Sequence, residues 1–250
     1  VELRRRNVPD RHPEQDIPYS SRRFIEALDE GAKLFDWDKR NKKPGSLREG
    51  DWLVGHGMAG AARVNILSEA KARVTLLADG SAVVETDMTD IGTGTYAILT
   101  QIAGDMLGLP ANKVQTKLGD TDFPAGPGSG GSWGASSAGS AVFLACEEIR
   151  KKLADKLGSD EAELTLENGA AGTGDALRSY PDILDGQEIS AIGHIEPGQT
   201  LEEMQQATYG SYFAEVAVNA VTGETRVRRM LGVFGAGRIL NEKTATSQCY

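Results

Sequence analysis

The sequence has few cysteine and histidine residues, the types that form disulfide cross-links in small folds or bind metal ions. Its 250 residues include two cysteines and three histidines. Cys146 and Cys249 are too few and too far apart for a disulfide framework, a zinc site or an iron–sulfur site. The histidines show no H-x-x-x-H spacing, so we expect no metal held by protein side chains. Cys146 follows the apolar residues 141–144, which predicts that it is buried as a small apolar side chain.

Long apolar runs and an excess of positive charge are missing as well. No stretch approaches the roughly 18 consecutive apolar residues of a membrane-spanning helix, and no N-terminal signal peptide is visible. The formal net charge of −9 argues against a general nucleic-acid-binding protein. With 40% hydrophobic and 25% charged residues, the composition is typical of a globular protein.

Two glycine-rich turns, each leading from a predicted strand region into a predicted helix, are the most informative feature. The first is Ile91-Gly92-Thr93-Gly94, and the second is GPGSGGSWGASS at residues 126–137. The first four N–H groups of a helix have no internal acceptor, and the helix dipole favours negative charge there. Two such turns in one chain suggest a ligand that carries phosphates or a polar heterocycle.

Each turn also has a simpler interpretation. Residues 126–131 fit a flexible linker, although Trp133 and the alanine and serine residues after it do not suit a solvated spacer. Residues 91–94 fit a strand-to-helix turn in which glycine supplies unusual backbone angles. Neither turn contains the P-loop pattern G-x-x-x-x-G-K-[ST]. The spacing alone therefore indicates no more than an anion site.

The mixture of hairpins and helices predicts an α+β fold. We expect four consecutive segments: an entry with one amphipathic helix at residues 1–50, an α+β core at 51–157, an acidic excursion or small lobe at 158–210, and a hairpin with the start of a further loop at 211–250. In the entry segment, Ser20 or Ser21 can cap the helix that begins near Phe24. In the core we expect a hairpin at residues 72–86, helices at 95–107 and 134–157, and a strand at 114–118.

Several short motifs in this order resemble one known family. They are ELRRRN at residues 2–7, DIGTGTY at 90–96, QIA at 101–103, LGLP at 107–110, GDT at 119–121, GGS at 130–132 and LGVFGAGRILNEKTATSQ at 231–248. Together they resemble the molybdenum-binding subunit of the xanthine dehydrogenase/aldehyde oxidoreductase family, and most closely its bacterial aldehyde oxidoreductase members. The resemblance covers essentially the whole chain, and the ordered set is far more specific than any single motif.

The resemblance implies that molybdopterin cytosine dinucleotide lies along three segments, the core at 51–157 being the main molybdopterin-binding part. The implied contacts are Ile91, Gly92 and Thr93 in the first turn; Gly131, Gly134 and Ala135 around the second; and Arg238, Ile239, Leu240, Asn241, Glu242, Lys243, Thr244 and Gln248 in the third segment. Arg238 and Lys243 would neutralise phosphate, whereas Gly131 would lie close to the open side of the metal. Family members often have glutamine in place of Thr93. The cofactor's own dithiolene holds the molybdenum, so no protein metal ligand is implied.

Arg63 is the residue that we expect closest to the chemistry. It ends the small-residue segment GHGMAGAAR at residues 55–63, where a buried guanidinium would need an anion or a polar ligand. The resemblance implies that it faces the molybdenum site and steers substrate. The alternative is a structural salt bridge with one of the many acidic residues.

The resemblance further implies an oxidoreductase that converts aldehydes to acids, or hydroxylates N-heterocycles, with water as the oxygen source. Electrons would pass to partner subunits that carry 2Fe–2S clusters and FAD. In the family the general base is a glutamate downstream of the position of Gln248. We therefore expect this chain, which starts at Val1 rather than at methionine, to be an internal piece of the catalytic subunit. Alone it would be inactive, would tend to self-associate, and could lack bound cofactor; the sequence favours neither a cytoplasmic nor a bacterial periplasmic location.

Two other classes of function fit part of the sequence. A non-catalytic interaction or assembly module would keep the same scaffold without the cofactor, but the intact Gly92, Gly131, Gly134 and Gln248 favour the enzyme. A nucleotide-binding enzyme that uses the glycine turns for ATP would need a P-loop lysine and an acidic metal pair. The turns have neither.

Overall fold

The computed structural model describes residues 1–250, and the chain divides into two compact units. The first consists of Val1–Asn65 and Leu201–Arg238, and the second of Ile66–Thr200 and Ile239–Tyr250. Both units combine helices with strands, so the predicted α+β class is confirmed. The units do not follow the four consecutive segments expected from the sequence, because strands that are distant along the chain pair with each other in both units.

The helices and strands have the following bounds. The helices are α1 (Glu2–Arg6), α2 (Phe24–Leu34), α3 (Thr95–Leu107), α4 (Gly134–Leu157), α5 (Tyr180–Leu184), α6 (Thr200–Glu203) and α7 (Glu242–Ser247). The strands are β1 (Arg48–Glu49), β2 (Trp52–Val64), β3 (Ala70–Leu76), β4 (Ala82–Thr86), β5 (Val114–Leu118), β6 (Leu164–Glu167), β7 (Ala170–Thr173), β8 (Ala176–Ser179), β9 (Ile189–Ile195), β10 (Ala207–Asn219) and β11 (Thr225–Gly235). No helix combines the length and the apolar character needed to cross a membrane.

The first unit is an antiparallel sheet in the order β1-β2-β10-β11, with α2 packed against it. Phe213 is fully buried there, and a Cβ atom on Gly31 of α2 would lie 2.4 Å from its ring, so glycine lets the helix approach the sheet. The predicted helix is confirmed, but its predicted cap is wrong. Its N-cap residue is Arg23, without a side-chain cap, because the chain before it bridges to Gln205, whose carbonyl accepts from the backbone N–H of Ser20.

The second unit is built on a four-stranded sheet in the order β5-β4-β3-β9. The β3–β4 hairpin turns at Asp79-Gly80 as predicted, and Asp79 Oδ1 accepts hydrogen bonds from the N–H and the hydroxyl of Ser81. Alternate residues of β3 are buried, and α4 packs closely against both β3 and β9. A Cβ atom on Gly193 of β9 would lie 1.9 Å from the carbonyl oxygen of Ala141. Only glycine at that position allows the helix to lie so near the strand.

Residues 158–210 do not form a separate lobe. Strands β6, β7 and β8 make a small antiparallel sheet, but β9 pairs with β3 from Ala70↔Ile195 to Leu76↔Ile189 as an edge of the main sheet. Strand β9 is only seven residues long, and its residues alternate between buried and exposed along most of its length. Its position in the sheet depends on the pairing with β3, which is distant along the chain. Unlike this region, α3 and α4 have the bounds predicted from the sequence, and each ends at a glycine with positive φ, Gly108 at 59° and Gly158 at 65°.

Cys146 is buried in the core of the second unit, as its apolar surroundings predict. Burial raises the pKa of its thiol to about 12, so the side chain stays protonated at neutral pH. Cys249 is exposed.

Candidate functional site

The first glycine-rich turn is closed by its own aspartate. The carboxylate of Asp90 accepts hydrogen bonds from the backbone N–H groups of Gly92 at 2.8 Å and Thr93 at 3.0 Å, and a longer one from Tyr96 at 3.4 Å. Partial burial acts to raise the pKa of Asp90, but the backbone donors of this turn outweigh it and hold the pKa below its usual value. The expectation of bare donors at residues 91–94 is therefore wrong, because an internal anion already binds them.

The third predicted segment packs against this turn. A Cβ atom on Gly94 would lie 2.5 Å from the Thr244 methyl group. The Gln101 side chain on α3 donates to the Leu240 carbonyl at 2.7 Å and accepts from Asn241 Nδ2 at 3.3 Å. Asn241 also caps α7, its Oδ1 accepting from the Thr244 N–H at 3.0 Å. The first turn and the third segment, two of the three predicted segments, therefore lie in contact. The side-chain oxygen and nitrogen of Asn241 both form hydrogen bonds within the chain.

The second glycine-rich stretch is ordered by contacts with the end of β4 and the residues after it. The Gly126 N–H donates to the Asp87 carboxylate, and the Ser129 hydroxyl donates to the Thr89 carbonyl. A solvated spacer would make no such contacts, so the linker interpretation of residues 126–131 is wrong.

The N-terminus of α4, directly after this stretch, is uncapped. Its N-cap residue is Trp133, and no side chain accepts a hydrogen bond from the first turn. The Ser137 N–H donates to the Trp133 carbonyl at 2.9 Å, whereas the N–H groups of Gly134, Ala135 and Ser136 have no acceptor in the chain. This 24-residue helix therefore presents three free backbone donors and the positive end of its dipole.

The indole of Trp133, just before α4, carries a buried polar atom that the sequence alone did not reveal. Its indole Nε1 is buried and has no hydrogen-bond partner. A Cβ atom on Gly131 would lie 2.0 Å from the Trp133 ring, so the missing side chain at position 131 makes room for the indole. On Gly134 a Cβ atom would lie 2.4 Å from the methyl group of Met88. No sequence motif pointed to this buried N–H group.

Arg63 is exposed, so its predicted burial is wrong. It lies near the end of β2, opposite Thr208 of β10, and the small residues before it belong to the same strand. Arg63 and Arg238 belong to the first unit, and the other predicted contacts belong to the second. Ile91, Lys243 and Gln248 are exposed there, and Ile91 keeps 67% of its surface accessible.

A groove of about 600 Å³ runs along α3 beside the third segment. Six of the residues that line it are Tyr96, Thr100, Gln101, Leu109, Gln115 and Asn241. They combine amide and hydroxyl groups with apolar surface, which is the lining expected for a polar heterocycle. The Asn241–Gln101 hydrogen bond joins this groove to the loop that packs on the first turn.

One cluster of possible metal ligands lies elsewhere in the second unit. Glu69, His194 and Glu196 place their ligand atoms within 4.8 Å of one another, and all three residues are exposed. His194 Nε2 lies 2.9 Å from Glu69 Oε1 and 3.7 Å from Glu196 Oε1, and Lys71 Nζ lies 3.9 Å from the same Glu69 oxygen. These contacts are those of an exposed ion-pair group, and none of the three residues belongs to the predicted site.

The second unit thus has the features of an α+β cofactor-binding domain, with glycine turns, an uncapped helix and a polar loop. Residues 30–250 match the family model of the molybdopterin cofactor-binding domain, and the chain belongs to that family. Its relatives are molybdenum-binding subunits of the xanthine dehydrogenase/aldehyde oxidoreductase family, which confirms the resemblance of its motifs.

Known relatives agree with this family. The chain is 46% identical to the aldehyde oxidoreductase molybdenum-binding subunit PaoC of Escherichia coli K12, over 92% of this chain and 31% of PaoC. It is 30% identical to the probable hypoxanthine oxidase XdhD of the same organism, over 90% of this chain and 24% of XdhD. The chain therefore spans about a third or less of the length of these relatives.

Solved structures show the same fold at low sequence identity. Quinoline 2-oxidoreductase from Pseudomonas putida 86 matches with a TM-score of 0.78 and 21% identity, over 99% of this chain and 36% of that chain. The aldehyde oxidoreductase from Desulfovibrio desulfuricans ATCC 27774 matches with a TM-score of 0.70 and 20% identity, over 99% and 27%.

Proposed function

We propose that this chain forms the cofactor-binding part of the catalytic subunit of a molybdenum hydroxylase that oxidises aldehydes to acids with water as the oxygen source. The observation that carries the proposal is the uncapped N-terminus of α4, where the N–H groups of three residues lack acceptors. Donors of this kind fit a cofactor that carries phosphate and carbonyl oxygens. Similarity to PaoC supports aldehydes as the substrate class, and N-heterocycles are the second candidate class.

The chain's own residues would bind and orient this cofactor. The N–H groups of Gly134 and Ala135 would donate to it, and the helix dipole of α4 would favour its negative charge. Lys243, exposed at the start of α7, would neutralise a phosphate, as would Arg238. When bound, the cofactor would supply two-electron redox chemistry, and its own dithiolene would hold the molybdenum.

The finer parts of the proposal concern the form of the cofactor and the partners. We propose the cytosine dinucleotide form, whose second phosphate and nucleoside would extend along the loop at residues 239–248. Subunits that carry 2Fe–2S clusters and FAD would take up the electrons, and the names of relatives such as the nicotine 6-hydroxylase large subunit support a multi-subunit enzyme. Arg63 would steer substrate through its exposed guanidinium. Turnover belongs, in this proposal, to the full-length subunit with its partners.

Molybdenum and released CMP, counted per chain in the full-length subunit expressed with its partners, test the proposal. We expect near-stoichiometric amounts of both in the wild type and a large loss in Ala135→Trp, because a bulky side chain at this exposed position would cover the donors at the start of α4. Gly55→Trp is the matched control, since it adds the same side chain at an exposed position where a Cβ atom meets nothing within 4 Å. A well-folded wild type without metal or nucleotide would favour the alternative, a non-catalytic scaffold that keeps the fold without the cofactor.

A further inference from the structure

A second cavity lies in the first unit, between the entry segment and β2. Its volume is about 640 Å³, and it shares no lining residue with the groove along α3. None of the predicted cofactor contacts lines it. Six of the residues that do are Leu3, Arg4, Val8, Arg22, Phe24 and Met58. The cavity therefore combines two guanidinium groups with an apolar wall.

The two arginines of this cavity have no acidic partner. The neighbouring Arg6 pairs with Glu2, its Nε lying 2.6 Å from Glu2 Oε1, whereas Arg4 and Arg22 form no ion pair. Acidic residues outnumber basic ones in this chain, which has a net charge of −9, so carboxylates are not scarce. Two like charges on one partly apolar cavity repel each other, and an anion bound between them would remove that repulsion.

Packing against glycine and tyrosine determines where the two guanidinium groups lie. A Cβ atom on Gly60 of β2 would lie 2.7 Å from the Phe24 ring and 3.7 Å from Arg4 Nη1, so glycine leaves room for both groups. The guanidinium carbon of Arg22 lies 4.1 Å from the centroid of the Tyr19 ring, a cation–π contact that holds its charge in place. Arg4 can therefore bind a ligand directly, and Arg22 adds a fixed positive charge.

We propose that this cavity binds a carboxylate with an apolar body, such as an aromatic acid. The guanidinium of Arg4 donates to the two carboxylate oxygens, which its paired N–H groups match in geometry. Phe24 and Met58, both half-buried, contact the apolar body. The acid formed from an aldehyde is a ligand of this class. That link to the reaction rests on the proposed function, whereas the site itself does not.

The test measures the binding of para-fluorobenzoate by fluorine NMR to the full-length subunit expressed with its partners. Wild type is compared with Arg4→Gln and with Arg6→Gln, the matched control, which lies on the same helix but does not line the cavity. We expect saturable binding in the wild type and the control. In Arg4→Gln the Kd should be about tenfold higher, the effect of one hydrogen bond between charged groups. Arg4→Lys, which keeps the charge without the paired donors, should give an intermediate Kd.

Two further ligands separate the charge from the apolar body. para-Fluorobenzyl alcohol has the same ring without the carboxylate, and we expect it to bind about tenfold more weakly than the acid. Inorganic phosphate has the charge without the ring, and at equal concentration it should displace little of the acid. Tight binding of the alcohol, or full displacement by phosphate, would overturn the proposed ligand class.

The outcomes separate this proposal from the proposed function. Arg4 is exposed, so its variants should fold, and their thermal unfolding midpoints check this. Equal Kd values in Arg4→Gln and Arg6→Gln, or no saturable binding in the wild type, would overturn the carboxylate site and leave the proposed function standing. Binding that depends on Arg4 in a subunit without molybdenum and nucleotide would support the site and overturn the proposed function.

Discussion

A single carboxylate introduced at Ala135 should separate the stability of α4 from its ability to bind an anion. Ala135 is exposed in the first turn of the helix, and its N–H group has no acceptor. In Ala135→Asp the new negative charge lies at the positive end of the helix dipole. It should stabilise the fold by about 0.3 to 1 kcal/mol.

The same charge should repel a bound phosphate. An anion that accepts hydrogen bonds from these N–H groups lies about 3 Å from them, and roughly 6 Å from the new carboxylate. At that separation two unit charges repel by about 0.7 kcal/mol in bulk water and by about 3 kcal/mol at an effective dielectric constant of about 20. Cofactor affinity should therefore fall by a factor of about 3 to 100, although the protein itself becomes no less stable.

The assay is the molybdenum and nucleotide content of the full-length enzyme after dialysis, together with its thermal unfolding midpoint. Ala135→Asn is the control, because it has nearly the same shape without the charge. We expect Ala135→Asp to lose cofactor and Ala135→Asn to keep most of it. Equal loading of both variants would refute the view that the N-terminus of α4 holds an anionic ligand.

Three further predictions concern stability and reactivity. Asp90→Asn should cost about 1 kcal/mol at neutral pH, because it weakens the cap on residues 91–94. The pKa of Asp90 is depressed in the folded state, so in urea unfolding the difference from wild type should persist above pH of about 4 and vanish as pH falls through the folded pKa. Gly193→Ala should destabilise the chain by about 1 to 3 kcal/mol through its clash with Ala141, whereas Gly55→Ala, with open space around its Cβ position, should change stability by less than about 0.5 kcal/mol. A thiol reagent at pH 8 should label Cys249 rapidly in the native chain and Cys146 only after denaturation, since burial raises the pKa of the Cys146 thiol to about 12; fast labelling of both would contradict the buried position.

The sequence alone determined those helices and hairpins whose formation depends on residues close to one another along the chain. The bounds of α3 and α4 follow from apolar periodicity and from Gly108 and Gly158, which end the helices in the left-handed conformation. The β3–β4 hairpin follows from Asp79-Gly80, whose turn chemistry is complete within a few residues. The ordered motifs likewise identified the family, because each is a short run of residues that can be read without knowledge of the fold.

Only the tertiary structure decided which donors are free and which strands pair. Asp90 occupies the N–H groups of the first turn, whereas the start of α4 remains uncapped, and both turns look alike as glycine-rich sequence. The exposure of Arg63 and the edge position of β9 depend on strands that are distant along the chain. Whether a polar group is hydrogen-bonded or buried depends on which residues lie next to it in three dimensions. Those neighbours cannot be read from the sequence alone.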